Sequence, residues 1–224
     1  MSLTFYYHPL ASFCWKVQIA LYENETPFVG EIVNLADKQA SAKFFDLWPV
    51  GKMPLLRDER RDRTVPETTI IIEYLDRYYP GAKKMLPEDE ELRLDARLWD
   101  RFFDNYVQHP MQRIVANQMR PQNERDPRSV SESQSALEMA YDMLERRLAT
   151  RTWAIGDVFS LADCAAFPGL FYASTLVPFG EARRATAAYF ERLTQRASVQ
   201  RVISEARPYF QYYPFRDAIP ARFL

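Results

Sequence analysis

The chain has little cysteine: Cys14 and Cys164 are the only two. That scarcity excludes a disulfide scaffold and a four-cysteine zinc site, and it fits a reducing compartment. Histidine is equally scarce, with His8 and His109 alone, so a His-rich site is a poor reading and no metal is expected. Neither sign of charge is in excess, since 29 Lys and Arg face 30 Asp and Glu. Nucleic acid and anionic membranes select clustered cations and are therefore not expected partners. Long apolar runs are missing too. The longest uncharged stretch, Cys164 to Gly180, is broken by Pro168, Gly169 and Pro178 and falls short of the ~20 apolar residues that cross a bilayer. Residues Met1 to His8 carry no basic, apolar leader. What is present is apolar surface to bury, with 47% hydrophobic and 14% aromatic residues. A soluble, folded, cytoplasmic protein of one large or two small domains is the expectation.

Periodicity divides the chain. Leu3 to Tyr7 is aromatic and β-rich and stops at His8-Pro9, which predicts a strand. Val17, Ala20 and Leu21 then recur at helical spacing up to Asn24, and Phe28 to Val33 is a second short strand. Ser41 to Leu47 predicts a brief helix closed by Pro49 and Gly51. Met53 to Arg57 and Arg63 to Val65 flank the charged cluster Asp58 to Asp62 and read as a β-hairpin with a solvated tip. Ile71, Leu75 and Tyr78 mark an amphipathic helix over Glu67 to Tyr79, ended by Pro80-Gly81. The order β-α-β-α-β-β-α describes a small α/β unit in residues 1–80, joined by a linker at 81–87 to a second part, 88–224. That second part is all helix, with stripes at Leu92, Ala96, Trp99, Phe103 and Tyr106; at Leu137, Ala140, Leu144 and Leu148; and at Ala187, Phe190 and Leu193. The aromatic tail from Pro208 has no period and is expected to pack as an extended segment.

Three places could carry chemistry. Pro54 in Gly51-Lys52-Met53-Pro54-Leu55 sits at a strand start; a cis Met53–Pro54 bond would present the Met53 backbone to a peptide-like ligand, while an ordinary trans proline is the commoner reading. Pro66-Glu67-Thr68 opens a helix whose N–H groups favour a carboxylate and whose Glu67 could pair with an amine; simple N-capping by Thr68 is the alternative. Ser12 and Cys14 lie at the first turn of the first helix, where a hydroxyl can serve a thiolate or a thiol can become one; an N-cap Ser12 with a buried Cys14 is the plainer reading.

Taken in order, Phe5 to Val17, Gly51 to Leu55, Pro66-Glu67-Thr68 with Ile71, Glu73 and Tyr74-Leu75, and Gly156-Asp157-Val158-Phe159-Ser160-Leu161-Ala162-Asp163 resemble the cytosolic glutathione transferases, of the bacterial Ser/Cys-like type. The resemblance covers nearly the whole chain. It implies a thioredoxin-like N-terminal domain followed by an α-helical bundle domain. Ser160 and Asp163 fit a reciprocal box at a helix start. The resemblance further implies that Met53, with Pro54 cis, holds the cysteinyl part of glutathione, that Glu67 and Thr68 hold its γ-glutamyl end, and that Lys52, or else Lys38 or Gln39, meets its glycyl carboxylate. Ser12 is the implied catalytic residue. Ala11 stands where many members have the Ser or Cys that activates sulfur, and Cys14 falls at a resolving-cysteine position without its partner. Asn105, Tyr106, His109 and Arg113 are candidates to face a small hydrophobic electrophile. The implied activity is detoxifying transfer by a homodimer that uses glutathione as co-substrate. The alternatives are a non-catalytic glutathione-transferase-like binding protein, favoured by Ala11, and a glutathione-dependent isomerase or dehalogenase.

Overall fold

The computed structural model describes residues 2–224, apart from the side chains of Lys38 and Ala40. Strand β1 (Leu3–Tyr7) is central: it pairs in parallel with β2 (Val29–Ile32) and antiparallel with β3 (Leu55–Asp58), which pairs antiparallel with β4 (Arg63–Pro66). The sheet order is β2-β1-β3-β4. Pro66 is tolerated because β4 is an edge strand. Strand alternation sends Leu3 and Phe5 to one face, against α1 (Ser12–Glu23) and α3 (Thr68–Tyr78) through Val17, Leu21, Ile71 and Leu75. Tyr6 and Leu55 point to the other face, where Phe44 of α2 (Lys38–Leu47) covers them. This is the expected thioredoxin-like unit.

The second domain is helical, as the stripes predicted. Helix α4 (Glu90–Phe102), capped by Asp89 on the Leu92 N–H at 2.9 Å, runs through a π-helical stretch, Phe103–Gln108, into α5 (His109–Met119). α6 (Pro127–Leu148), α7 (Leu161–Ser174), α8 (Arg184–Thr194) and α9 (Ala197–Ala206) follow. Every residue of α7 from Leu161 to Ala173 is buried. At Gly169 a side chain would meet Gln108 Cγ at 3.0 Å and Val107 Cγ1 at 3.3 Å, so the missing Cβ lets the π stretch approach. Ser160 Oγ accepts from the Ala162 N–H while Asp163 accepts the Ser160 N–H at 2.8 Å, which is the expected capping box. No helix among the described residues is long and apolar enough to cross a membrane.

Three expectations are corrected. The first helical stripe fails at its ends: Leu92 is 42% and Tyr106 60% exposed. The i→i+5 bonding of the π stretch takes more residues per turn, so Val107, not Tyr106, follows Phe103 into the core, and Met111 and Ile114 continue the line. Asp58 is not part of a solvated tip. It is fully buried and accepts hydrogen bonds from the Tyr74 hydroxyl at 2.7 Å, the Tyr79 hydroxyl at 2.6 Å and the Arg60 N–H at 3.0 Å. The tail is not extended either. It folds as short 3-10 turns, Arg207–Tyr212, Arg216–Ala218 and Ala221–Phe223, which bury Phe210, Tyr213, Ile219 and Phe223. Pro208, Pro214 and Pro220 prevent a continuous helix there, and local bonds such as Tyr213 N–H to Phe210 C=O at 3.0 Å satisfy the backbone instead.

Candidate functional site

A cleft of about 780 Å³ is lined on one side by the start of α1 and on the other by α5. Its first-domain wall contains Ser12, Lys52, Met53, Pro54, Glu67 and Thr68, so short chain segments far apart in sequence meet there. The side chain of Lys38 lies outside the described residues. Gln39 is exposed on α2, and the cleft wall among the described residues carries Lys52 instead.

Ser12 is the first residue of α1 rather than its cap. The N-cap is Ala11, whose methyl group offers no acceptor, so the helix start at the cleft carries no side-chain cap. Ser12 is only 4% exposed, and its Oγ accepts a hydrogen bond at 3.4 Å from Gln112 Nε2 on α5. Cys14 is wholly buried, and burial pushes its thiol up to about 12. A thiol so placed is a core group, not a thiolate.

The Met53–Pro54 bond is cis, and Met53 lies half-buried at the cleft. Glu67, not Thr68, is the N-cap of α3, and it makes no side-chain cap bond. Its backbone has φ +67°, an uncommon conformation for a non-glycine residue that clusters at ligand sites. Thr68 is buried directly behind it. His8 also reaches the cleft. Burial lowers its pKa, and its Nδ1 accepts the Leu10 N–H at 3.2 Å, so the neutral ring carries its proton on Nε2.

The opposite wall differs from expectation. Asn105, Tyr106, His109 and Arg113 are exposed away from the cleft, and Arg113 donates to Ser129 Oγ at 3.0 Å. The wall is built by Met111, Gln112, Val115 and Met119 of α5, with Tyr172 of α7 and Tyr213 of the tail. These were missed because the π stretch rotates α5 relative to a helix read straight through. A second depression of about 550 Å³ lies beside Glu23, whose carboxylate is engaged there by Arg196, Ser198 and Lys83.

Residues 5–83 match the family profile described as Glutathione S-transferase, N-terminal domain, and residues 104–197 match Glutathione S-transferase, C-terminal domain. The chain belongs to the glutathione S-transferase family. It is 27% identical over 190 residues to glutathione S-transferase GstB of Escherichia coli (strain K12), covering 84% of this chain and 91% of that one. It is also 27% identical over 220 residues to FtsZ-localized protein A of Caulobacter vibrioides, covering 92% of each. Among solved structures, a glutathione S-transferase from Methylobacillus flagellatus KT with GSH bound superposes with a TM-score of 0.82 at 23% identity, over 90% of this chain and 98% of that one. That likeness establishes a shared fold.

Proposed function

We propose that the chain is a glutathione transferase that presents the thiolate of glutathione to a small hydrophobic electrophile. The observation that carries this reading is the meeting of Ser12, Met53-Pro54 and Glu67-Thr68 along one cleft wall. Residues 1–80 are the glutathione-binding domain, 81–87 the linker and 88–224 the all-α domain. The Met53 backbone pairs with the cysteinyl residue of the tripeptide. Glu67 takes the γ-glutamyl amine, Thr68 with the N-terminus of α3 takes its carboxylate, and Lys52 meets the glycyl carboxylate. The Ser12 hydroxyl donates to the sulfur, aided by the uncapped start of α1. These groups favour the thiolate over the thiol. The apolar opposite wall of Met111, Val115 and Met119 receives the electrophile, so the rate gain comes from a lowered thiol pKa and from proximity.

The test is calorimetric titration with glutathione, combined with ultraviolet thiolate absorbance of the bound tripeptide against pH. Glu67→Ala leaves an amine unpaired at a cost of ~1–3 kcal/mol and weakens binding at least several-fold. Unchanged affinity in the folded variant removes Glu67 from the site. Ser12→Ala raises the bound thiol pKa by about one to two units.

A second reading, a binding protein that retains the cleft without catalysis, is favoured by one observation: Ala11 brings no polar group to the helix start. It predicts glutathione binding with an unshifted thiol. The proposed enzyme is a cytoplasmic, detoxifying homodimer. Ile70 of α3 and Leu94 and Leu98 of α4 are 50%, 64% and 61% exposed on helices tied by the Glu73–Arg97 pair, a face suited to a second copy. Sedimentation of the parent and of Leu98→Glu checks that assembly.

A further inference from the structure

The α5 wall of the cleft carries Met111, Gln112, Val115, Ala116 and Met119, a spacing that places them along one helical side. Four of the five are apolar. Gln112 is the one hydrogen-bonding side chain among them, and it donates across the domain boundary to Ser12 Oγ at 3.4 Å. A hydroxyl has one proton and two lone pairs. Among the described residues, the bond accepted from Gln112 is the one Ser12 Oγ makes, which leaves its own proton uncommitted.

We infer that Gln112 is a positioning residue for the sulfur of bound glutathione. This deepens the transferase reading above and rests on it. The amide proton occupies a lone pair of Ser12 Oγ, so the hydroxyl is held as an outward donor instead of turning freely. Accepting that bond also polarises the O–H and strengthens it as a donor to an anion. The orientation of the amide decides the effect: an acceptor at position 112 would draw off the proton that the sulfur needs. Thiol activation on the first domain is thereby made conditional on the helical domain lying against it. No contact between Gln112 and the sulfur is required.

The experiment titrates the thiolate absorbance of bound glutathione against pH in the full-length parent, Gln112→Leu, Gln112→Glu, Ser12→Ala and the doubly substituted Ser12→Ala/Gln112→Leu protein. Calorimetry reports binding and thermal melting reports folding. Gln112→Leu is expected to raise the bound thiol pKa by about half a unit to one unit, and Gln112→Glu by more, because its carboxylate accepts the Ser12 proton and adds a negative charge. In the Ser12→Ala background, Gln112→Leu adds no further shift. An equal Gln112→Leu shift in both backgrounds overturns the inference, as does an unmoved pKa in Gln112→Glu. If Ser12→Ala shifts the thiol while neither Gln112 variant does, this inference fails and the transferase reading stands. If the parent itself shows no depressed thiol pKa, both fall.

Discussion

Lys16 Nζ lies 2.7 Å from Asp104 Oδ2, a buried bond that joins α1 of the first domain to the helical domain. Asp100 Oδ1 sits on the same ammonium at 2.5 Å and Thr69 Oγ1 at 3.2 Å. Arg101 closes the group from the solvent side through Asp100 and Asp104. Two basic and two acidic side chains thus meet in one cluster, and their formal charges sum to zero.

Removing the buried cation is expected to be severe. Lys16→Met leaves Asp100 and Asp104 with the half-exposed Arg101 as their one cation among the described residues, and breaking such a pair costs ~3–5 kcal/mol. Burial already raises the Asp104 pKa, against the pull of Lys16. Losing Lys16 raises it further. A carboxyl raised on folding destabilises increasingly as pH rises through its folded value, so the deficit of Lys16→Met in urea unfolding should be larger at pH 8 than at pH 5. Equal deficits at the two pH values would count against this account.

Cys14 should be chemically silent. Its thiol is wholly buried and held near 12, so alkylation by iodoacetamide at pH 8 should be negligible in the folded protein and complete after denaturation. Mass spectrometry of the Cys14 peptide reads the difference. Fast labelling of native protein would restore Cys14 as a rival to Ser12.

Ser160→Ala is expected to lower stability by ~0.5–2 kcal/mol through the lost cap, which is a few degrees in Tm for a chain of this size. Asp163→Ala should cost more. Its buried carboxylate accepts the Ala154 N–H at 2.9 Å, the Ser160 N–H at 2.8 Å and the Tyr189 hydroxyl at 2.6 Å, and all three would be stranded. Differential scanning calorimetry of both variants tests the order; a milder Asp163→Ala would contradict it.

Acid sensitivity should trace in part to Glu23. Burial alone would raise its carboxyl, but hydrogen bonds from Arg196, Ser198 and Lys83 outweigh burial and bring it from 4.5 to about 2. A carboxyl depressed on folding stabilises above its unfolded pKa, and that contribution is lost as pH falls through the folded value. The stability of Glu23→Gln should therefore fall less steeply than the parent's below pH 4.5, followed by urea midpoints between pH 6 and 3. Parallel curves would exclude this origin.

Features confined to a short segment were legible in the sequence. Val17, Ala20 and Leu21 mark α1 because helical spacing repeats within a few residues, and the Gly51 to Leu55 and Pro66 to Thr68 motifs are each continuous in the chain. What escaped depends on partners distant in sequence or on altered helical pitch. Asp58 reads as one more charge at a hairpin tip because Tyr74 and Tyr79, which claim it, come 16 and 21 residues later. Gln112 carries no signal in the sequence because its partner, Ser12, lies 100 residues away. The α5 wall was misplaced because nothing in Phe103–Gln108 announces a π turn, and one wider turn redirects every side chain after it.

Trp15 has a longer reach than its place in α1 suggests. Its ring stacks on Phe167 at 6.0 Å and packs on Phe171 at 5.0 Å and Tyr172 at 5.1 Å, all on the helix buried along its length. That helix is core to both halves of the molecule. Opening either half exposes part of the other's interior, so the amide protons of Leu161–Ser174 should exchange with solvent through global opening, and heating should trace one calorimetric peak instead of two.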